Sequence, residues 1–303
     1  MLRFFLITLF LSLQVVTAQP LDLKTADYAK ADSIAIHFPK KKYKTSIEIV
    51  SPLTENLNTE HEKFRAIFRW ITENIEYNKT ASSTTDPDKV VRKNKAVCQG
   101  FANLLKDLCE SANIECRVIV GYTKTDYKDI NRVLNKTDHA WNIVKLNGKE
   151  YLVDVTWATS KYNVVSRKFE KDFDEHYFLT PPEKFILDHL PENKKDQLLE
   201  KPLSKKQFSK LPLLYADYFH LGIDEINPNK GLIKHKLKDD FKFKFKTSNQ
   251  INSAHILIDA DKFMSPAELS GNEFSIRFEK TGKQILTVYL NGKAVSEYIV
   301  VVK

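Results

Sequence analysis

The chain has 303 residues, of which 42% are hydrophobic and 11% aromatic, with only 8 Gly and 11 Pro. That composition excludes collagen-like, low-complexity and globally disordered chains, and the length suffices for two domains with a real core. Lys and Arg exceed Asp and Glu by 47 − 39 = 8, but the lysines are spread along the chain and no tract alternates basic with aromatic residues, so a solvated basic surface is expected and nucleic-acid binding is not.

At the N-terminus Arg3 precedes an apolar run from Phe4 to Val16, and Val16-Thr17-Ala18 offers small residues for cleavage, which predicts a signal peptide over residues 1–18 cleaved after Ala18. The run is shorter than the ~20 apolar residues of a spanning helix, and no later segment approaches that length. Gln19 follows the cleavage site, so no lipid-attachment cysteine stands there. A secreted or periplasmic protein without a stable membrane anchor is expected.

Residues 19–57 are poorly patterned and read as an N-terminal extension with one strand at Ser46–Val50. Thr59-Glu60-His61-Glu62 is a capping box opening a helix whose Phe64, Ile67, Phe68, Ile71 and Ile75 recur at helical steps. Asn78–Asp88, rich in Ser, Thr and Asp, reads as a loop bordering a site. A second helix begins at Cys98, with Phe101, Leu104, Leu105, Leu108 and Ala112 on one face, and ends near Asn113. The run from Cys116 to Tyr122 reads as a strand, followed by a loop from Lys124 to Thr137.

Ala140–Leu146 and Glu150–Trp157 flank Asn147-Gly148, a strong hairpin signal. With those two residues at the turn, facing positions sum to 295: Lys145 meets Glu150, Trp141 meets Asp154, and His139 meets Thr156. His139 and Asp154 are then diagonal neighbours on one face. Residues 160–230, interrupted by prolines, read as a continuation of the core and a connecting segment. Beyond Gly231 the pattern turns to period 2, with Phe241, Phe243 and Phe245 alternating with lysines and Asn291-Gly292 marking another hairpin. Five or more such strands predict an antiparallel β-sandwich over 231–303.

Three cysteines, Cys98, Cys109 and Cys116, are too few for a disulfide scaffold and leave at least one thiol unpaired. Cys98 at a helix N-terminus, His139 at the start of a strand and Asp154 on the neighbouring strand form a Cys-His-Asp triad layout. The helix end lowers a thiol pKa and can bind an oxyanion, His139 takes the thiol proton, and Asp154 orients His139. Cys109 and Cys116 read as core packing, with a disulfide between them as the alternative. Trp70, Trp141 and Trp157 read as core or cleft-wall aromatics. His176, beside Asp174 and Glu175, is an alternative base or metal ligand, but a His-Glu-x-x-His spacing is absent and no metal is expected. The sequons Asn78-Lys79-Thr80 and Asn135-Lys136-Thr137 matter only in a host that glycosylates.

Ala96-Val97-Cys98-Gln99-Gly100-Phe101-Ala102, Asp138-His139-Ala140-Trp141-Asn142 and Tyr151-Leu152-Val153-Asp154-Val155-Thr156-Trp157 together resemble the transglutaminase-like superfamily. The stretches Phe68–Tyr77 and Tyr177–Phe185 are similar to its kyphoscoliosis-peptidase branch, and the likeness covers about residues 60–215. The resemblance implies an α+β fold with a papain-like core over 58–160, in which Cys98, His139 and Asp154 match nucleophile, base and orienting acid. Tyr77 matches an aromatic position upstream of the nucleophile, and with Gln99 and Trp141 of the matched motifs it is a candidate for the substrate cleft. No metal or organic cofactor is implied. The C-terminal strands more loosely resemble the immunoglobulin-like domains that accompany this core. The resulting expectation is a secreted cysteine peptidase acting on a protein or a cell-wall peptide. Transglutaminase-type amide exchange and a non-catalytic scaffold with a vestigial triad are the alternatives.

Overall fold

The computed structural model describes residues 22–81, 84–163, 168–259 and 264–303; the expected leader and its cleavage site after Ala18 lie outside them. Helices α1 (Ala29–Ile36) and α2 (Ile47–Thr54) occupy the supposed extension, so the strand expected at Ser46–Val50 is a helix instead. The reason is visible in burial: Ile49, Val50 and Leu53 are sunk on one helical face. Ser46 spends its N–H on Asp88 at 2.9 Å, where a strand would need it for a ladder. Leu23, Tyr28, Ala31, Ala35 and Phe38 share one core with the capping-box helix α3 (Glu60–Asn74). Arg65 of α3, 4% exposed, bolts the segment down: it pairs both oxygens of Asp32 in α1 and both of Glu175 at 2.6–2.9 Å.

After α4 (Pro87–Lys93) comes α5 (Cys98–Ser111), whose Phe101, Leu104, Leu105 and Leu108 are wholly buried. This stripe packs on a four-stranded antiparallel sheet of β1 (Cys116–Thr123), β2 (His139–Leu146), β3 (Lys149–Val153) and β4 (His189–Pro191), in the order β3-β2-β1-β4. The hairpin register is the expected one, with Lys145 opposite Glu150 and Asn142 opposite Val153, and there it stops. Trp141 and His139 therefore do not face Asp154 and Thr156 in a ladder. Asp154 gives its own N–H to Tyr177 O at 3.0 Å and turns the chain by accepting from Thr156 and Trp157. Within residues 161–230, β4 completes the sheet alongside β1.

Gly121 in β1 lies opposite both His139 and Pro191. A Cβ there would stand 2.3 Å from Leu190 O and 2.4 Å from Trp141 Cη2, so only glycine lets β4 and Trp141 close on β1. Gly121→Ala is expected to lower stability by about 2–3 kcal/mol through overpacking against backbone, read from the midpoint of urea denaturation.

The C-terminal part contains two sheets. One has the order β5-β7-β11-β10, from β5 (Ile223–Asn227), β7 (Asp240–Thr247), β10 (Leu269–Ser270) and β11 (Glu273–Arg277). The other runs β6-β13-β12-β8-β9, from β6 (Leu232–His235), β8 (Ala254–Ile258), β9 (Ser265–Ala267), β12 (Gly282–Leu290) and β13 (Lys293–Val302). The pairing of β6 with β13 is parallel; the other pairings are antiparallel. Phe243, Phe274 and Ile276 of the first sheet share a core with Leu286, Val288 and Tyr298 of the second, and the Phe243 and Tyr298 rings are 5.4 Å apart. Lys242, Lys244 and Lys246 point outward, as period 2 requires. The first sheet starts at Ile223, ahead of the pattern change at Gly231. No helix among the described residues is long and apolar enough to cross a membrane.

Candidate active site

Val97, in extended conformation, leads into α5 with no side chain capping the helix; its carbonyl takes the Gly100 and Phe101 N–H groups, which leaves those of Cys98 and Gln99 for whatever binds there. Two short parallel segments, Glu76–Tyr77 and Lys95–Ala96, bring Tyr77 beside that end. Gly100 permits the approach of the preceding loop: a Cβ on it would lie 2.3 Å from Thr84 O. The half-buried Cys98 thiol lies close enough to the His139 side chain and the Ala140 N–H for both to lower its pKa.

His139 enters from the first residue of β2, and its Nε2 lies 2.6 Å from Asp154 Oδ2. With Nε2–H donated to the carboxylate, Nδ1 is the nitrogen left to exchange a proton with sulfur. Asp154, 0% exposed, is fully occupied: Oδ1 accepts from Thr156 and Trp157 N–H at 2.8 and 3.0 Å, and Oδ2 meets His139 and, at 3.0 Å, His189. Burial would raise its pKa, but the charges and hydrogen bonds of the two imidazoles hold it well below the usual carboxylate range. Burial likewise pulls His139 down, yet Asp154 and the thiol lift it to about 10. For Cys98, burial pushes the thiol up, and the His139 bond and charge with the Ala140 N–H outweigh it and lower the pKa. The arrangement lowers the thiol pKa beside a histidine that holds its proton at neutrality, which favours a thiolate paired with an imidazolium.

Of the three residues expected from the chain pattern, His139 and Asp154 are hydrogen-bonded, Asp154 standing in a turn and not in a strand, and Cys98 lies close enough to His139 for each to shift the other's pKa. Tyr77 is half-buried, packs on Phe169 at 4.6 Å, and lies near enough to Cys98 for the thiolate to raise its pKa, after burial. Gln99 turns along α5 to Asn103 at 2.8 Å. Trp141 is 0% exposed under the two histidines and lines no open cleft; its place is taken by half-buried Trp157, whose ring lies 5.6 Å from that of His139. His176 stacks on Phe219 at 3.9 Å, and burial pushes its pKa down to about 4, so it stays neutral. A cavity of about 640 Å³ lined by Lys184, Leu187, Tyr218 and Phe245 contains none of these groups.

Sequence reasoning missed Asp188 and His189. A single His before Leu-Pro carries no periodic signal, and only the pairing of β4 with β1 brings it to Asp154. His139, Asp154 and His189 offer ligand atoms within 4.8 Å of one another. Zinc needs bonds of about 2.0–2.1 Å at tetrahedral angles, whereas a 2.6 Å separation of Nε2 and Oδ2 closes that angle too far. The spacing suits shared protons.

Cys109 and Cys116 are free and buried, and burial, followed by the nearby Cys116 thiol, drives Cys109 well above the ordinary thiol range. Limited iodoacetamide treatment of the native protein is therefore expected to label Cys98, with Cys109 and Cys116 labelled only after unfolding, as read by peptide mapping. The Cys98 rate should remain high below the ordinary thiol pKa of about 8.5 and fall in acid as the thiolate is protonated.

Residues 47–155 match the profile of the Transglutaminase-like superfamily. Kyphoscoliosis peptidase of Homo sapiens is 35% identical over 193 residues, which cover 62% of this chain and 29% of the human protein. The Mus musculus protein of the same name is 34% identical over 223 residues, 72% of this chain and 33% of its own length. Hillarin of Drosophila melanogaster is 29% identical over 224 residues, 68% of this chain and 27% of that protein. The matched region thus spans a third or less of these relatives.

Proposed function

We propose, from the premise that residues 47–155 of this chain are a transglutaminase-like domain of the kyphoscoliosis-peptidase-like branch, that the protein is a cysteine acyl-transfer enzyme acting on amide bonds of peptides or proteins, foremost a peptidase. The observation that carries the reading is the 2.6 Å hydrogen bond from His139 to the wholly buried carboxylate of Asp154, with the Cys98 thiol close enough to His139 for the imidazole to lower its pKa.

In the first half-reaction the Cys98 sulfur attacks the amide carbonyl carbon, and the oxyanion turns to the Cys98 and Gln99 N–H groups at the start of α5. His139 passes its Nδ1 proton to the departing amine as the C–N bond breaks, leaving a thioester. Water, deprotonated by His139, then attacks the thioester; the C–S bond breaks, the acid leaves, and the thiolate and imidazolium are restored. An amine in place of water gives amide exchange by the same steps. Export belongs to this reading through the leader expected over 1–18. The two C-terminal sheets are read as an immunoglobulin-like domain that presents a partner to the core, supported by their shared core.

Release of labelled peptides from fluorescein-casein, assayed beside incorporation of dansyl-cadaverine into casein, tests the proposal. Peptide release identifies hydrolysis, and amine incorporation identifies exchange. Neither product, together with a Cys98 that alkylates like a free thiol, leaves a binding module in place of an enzyme.

A further inference from the structure

Oδ2 of Asp154 is engaged twice, by His139 Nε2 at 2.6 Å and by His189 Nε2 at 3.0 Å, while His189 Nδ1 lies 2.6 Å from Asp188 Oδ1. His189 therefore stands between two carboxylates with one ring nitrogen on each. A neutral imidazole carries a single N–H and can donate to only one of them; both contacts are donations when the ring is doubly protonated. His189 and Asp154 are 0% exposed and Asp188 2%, so a neutral ring would leave two carboxylates in a dry pocket with one contact lacking a proton. The ring is also boxed in by Phe185 at 4.3 Å, Trp157 at 4.4 Å and Trp141 at 5.2 Å.

Building on the acyl-transfer reading, we propose that Asp188 and His189 extend the triad into a five-residue relay, from Asp188 through His189, Asp154 and His139 to Cys98. His189 is its positioning residue: its imidazolium fixes the rotamer of Asp154 and balances Asp188, so that Asp154 meets His139 as an oriented carboxylate. The titration of His189 agrees in direction, since burial lowers its pKa and the two carboxylates more than reverse that. The other titratable groups around this end are Tyr177, whose hydroxyl donates to Asp188 Oδ2 at 3.2 Å, and His176 and Lys124, each close enough to feel the Asp188 charge.

The test is the pH profile of Cys98 alkylation by iodoacetamide in the full chain, for wild type, His189→Phe, His189→Gln and His189→Asn, with His139→Ala as control. His189→Phe keeps the ring volume and is expected to move the acid limb up by about one pH unit, slowing labelling at pH 6 about tenfold. Loss of the positive charge is common to the Phe, Gln and Asn variants, so slowing in Phe and Asn with Gln near wild type isolates the loss of positioning. His189→Gln, long enough to donate to Asp154, is expected within threefold of wild type; His189→Asn, too short, should behave like His189→Phe. Should His189→Phe not fold, the Gln and Asn pair decides. Unchanged or faster labelling in His189→Phe, or equal rates for Gln and Asn, overturns the relay while a slow His139→Ala keeps the triad. A Cys98 that reacts as an ordinary thiol in both wild type and His139→Ala overturns both.

Discussion

Cys98→Ala is expected to abolish turnover of a labelled protein substrate, a loss of about 10⁴-fold or more, with the melting temperature moved by less than about 3 °C. The two outcomes separate because the thiol is the group whose bond to the acyl carbon defines the reaction, yet contributes little to the core. Cys98 is half-buried at an uncapped helix start, whereas the stripe that holds α5 in place, Phe101 to Leu108, lies beyond it. His139 retains Asp154 when the sulfur is gone, so the imidazole stays paired. Casein hydrolysis and calorimetry on the same preparation read both quantities. Activity that survives in Cys98→Ala would falsify the assignment of the nucleophile.

Asp154→Asn is expected to reduce turnover about 10³–10⁴-fold by reversing a tautomer, the kind of loss seen when a triad carboxylate becomes an amide. The Asn oxygen can take over the role of Oδ1, accepting from Thr156 and Trp157, so the turn survives. Its NH₂ then faces His139 Nε2 and His189 Nε2. Both nitrogens must become acceptors, which puts the His139 proton on Nδ1, toward the thiol it should deprotonate. Stability changes as well, by about 3 kcal/mol, the lower end for breaking a buried pair from one side. The sign with pH follows from the two shifts. Asp154 is held below its ordinary range, so its contribution is present above about pH 4 and lost in acid. His139 is raised to about 10, so its contribution is complete below its unfolded value of about 6.5 and lost as pH rises through 10. Wild type should therefore weaken to urea between pH 6.5 and 10, and Asp154→Asn should show much less of that decline. Equal decline in both would place the pH dependence outside this pair.

Local pattern carried much of this protein. The Thr59 capping box, the α5 stripe, the register around Asn147-Gly148 and the period-2 strands after Gly231 depend on neighbours within a few residues, and each appears in the structure. Failures came where a distant partner outbid the local preference. Ser46 turns its N–H to Asp88 and its hydroxyl to Asp88 and Asp107, and a helix follows where a strand was expected in a poorly patterned stretch. Asp154 leaves the hairpin because Tyr177, Thr156 and Trp157 offer its backbone and carboxylate better partners than the ladder does. Trp141 read as cleft wall lies sealed beneath it, because Gly121 lets β4 close over the ring.

By itself the sequence determined the chemical identities and the local frames: a thiol at a helix start, an imidazole at a strand start, a carboxylate at a hairpin end, each set by capping, periodicity and turn chemistry over a handful of residues. Tertiary structure alone decided how those frames meet. It placed the Asp154 oxygens by a turn instead of a ladder, and it carried His189 on β4, with Asp188 just before it, in from about 35 residues away. Such choices depend on hydrogen bonds that buried groups must find wherever the fold supplies them, and a satisfied buried donor far along the chain leaves no periodic trace in the residues around it.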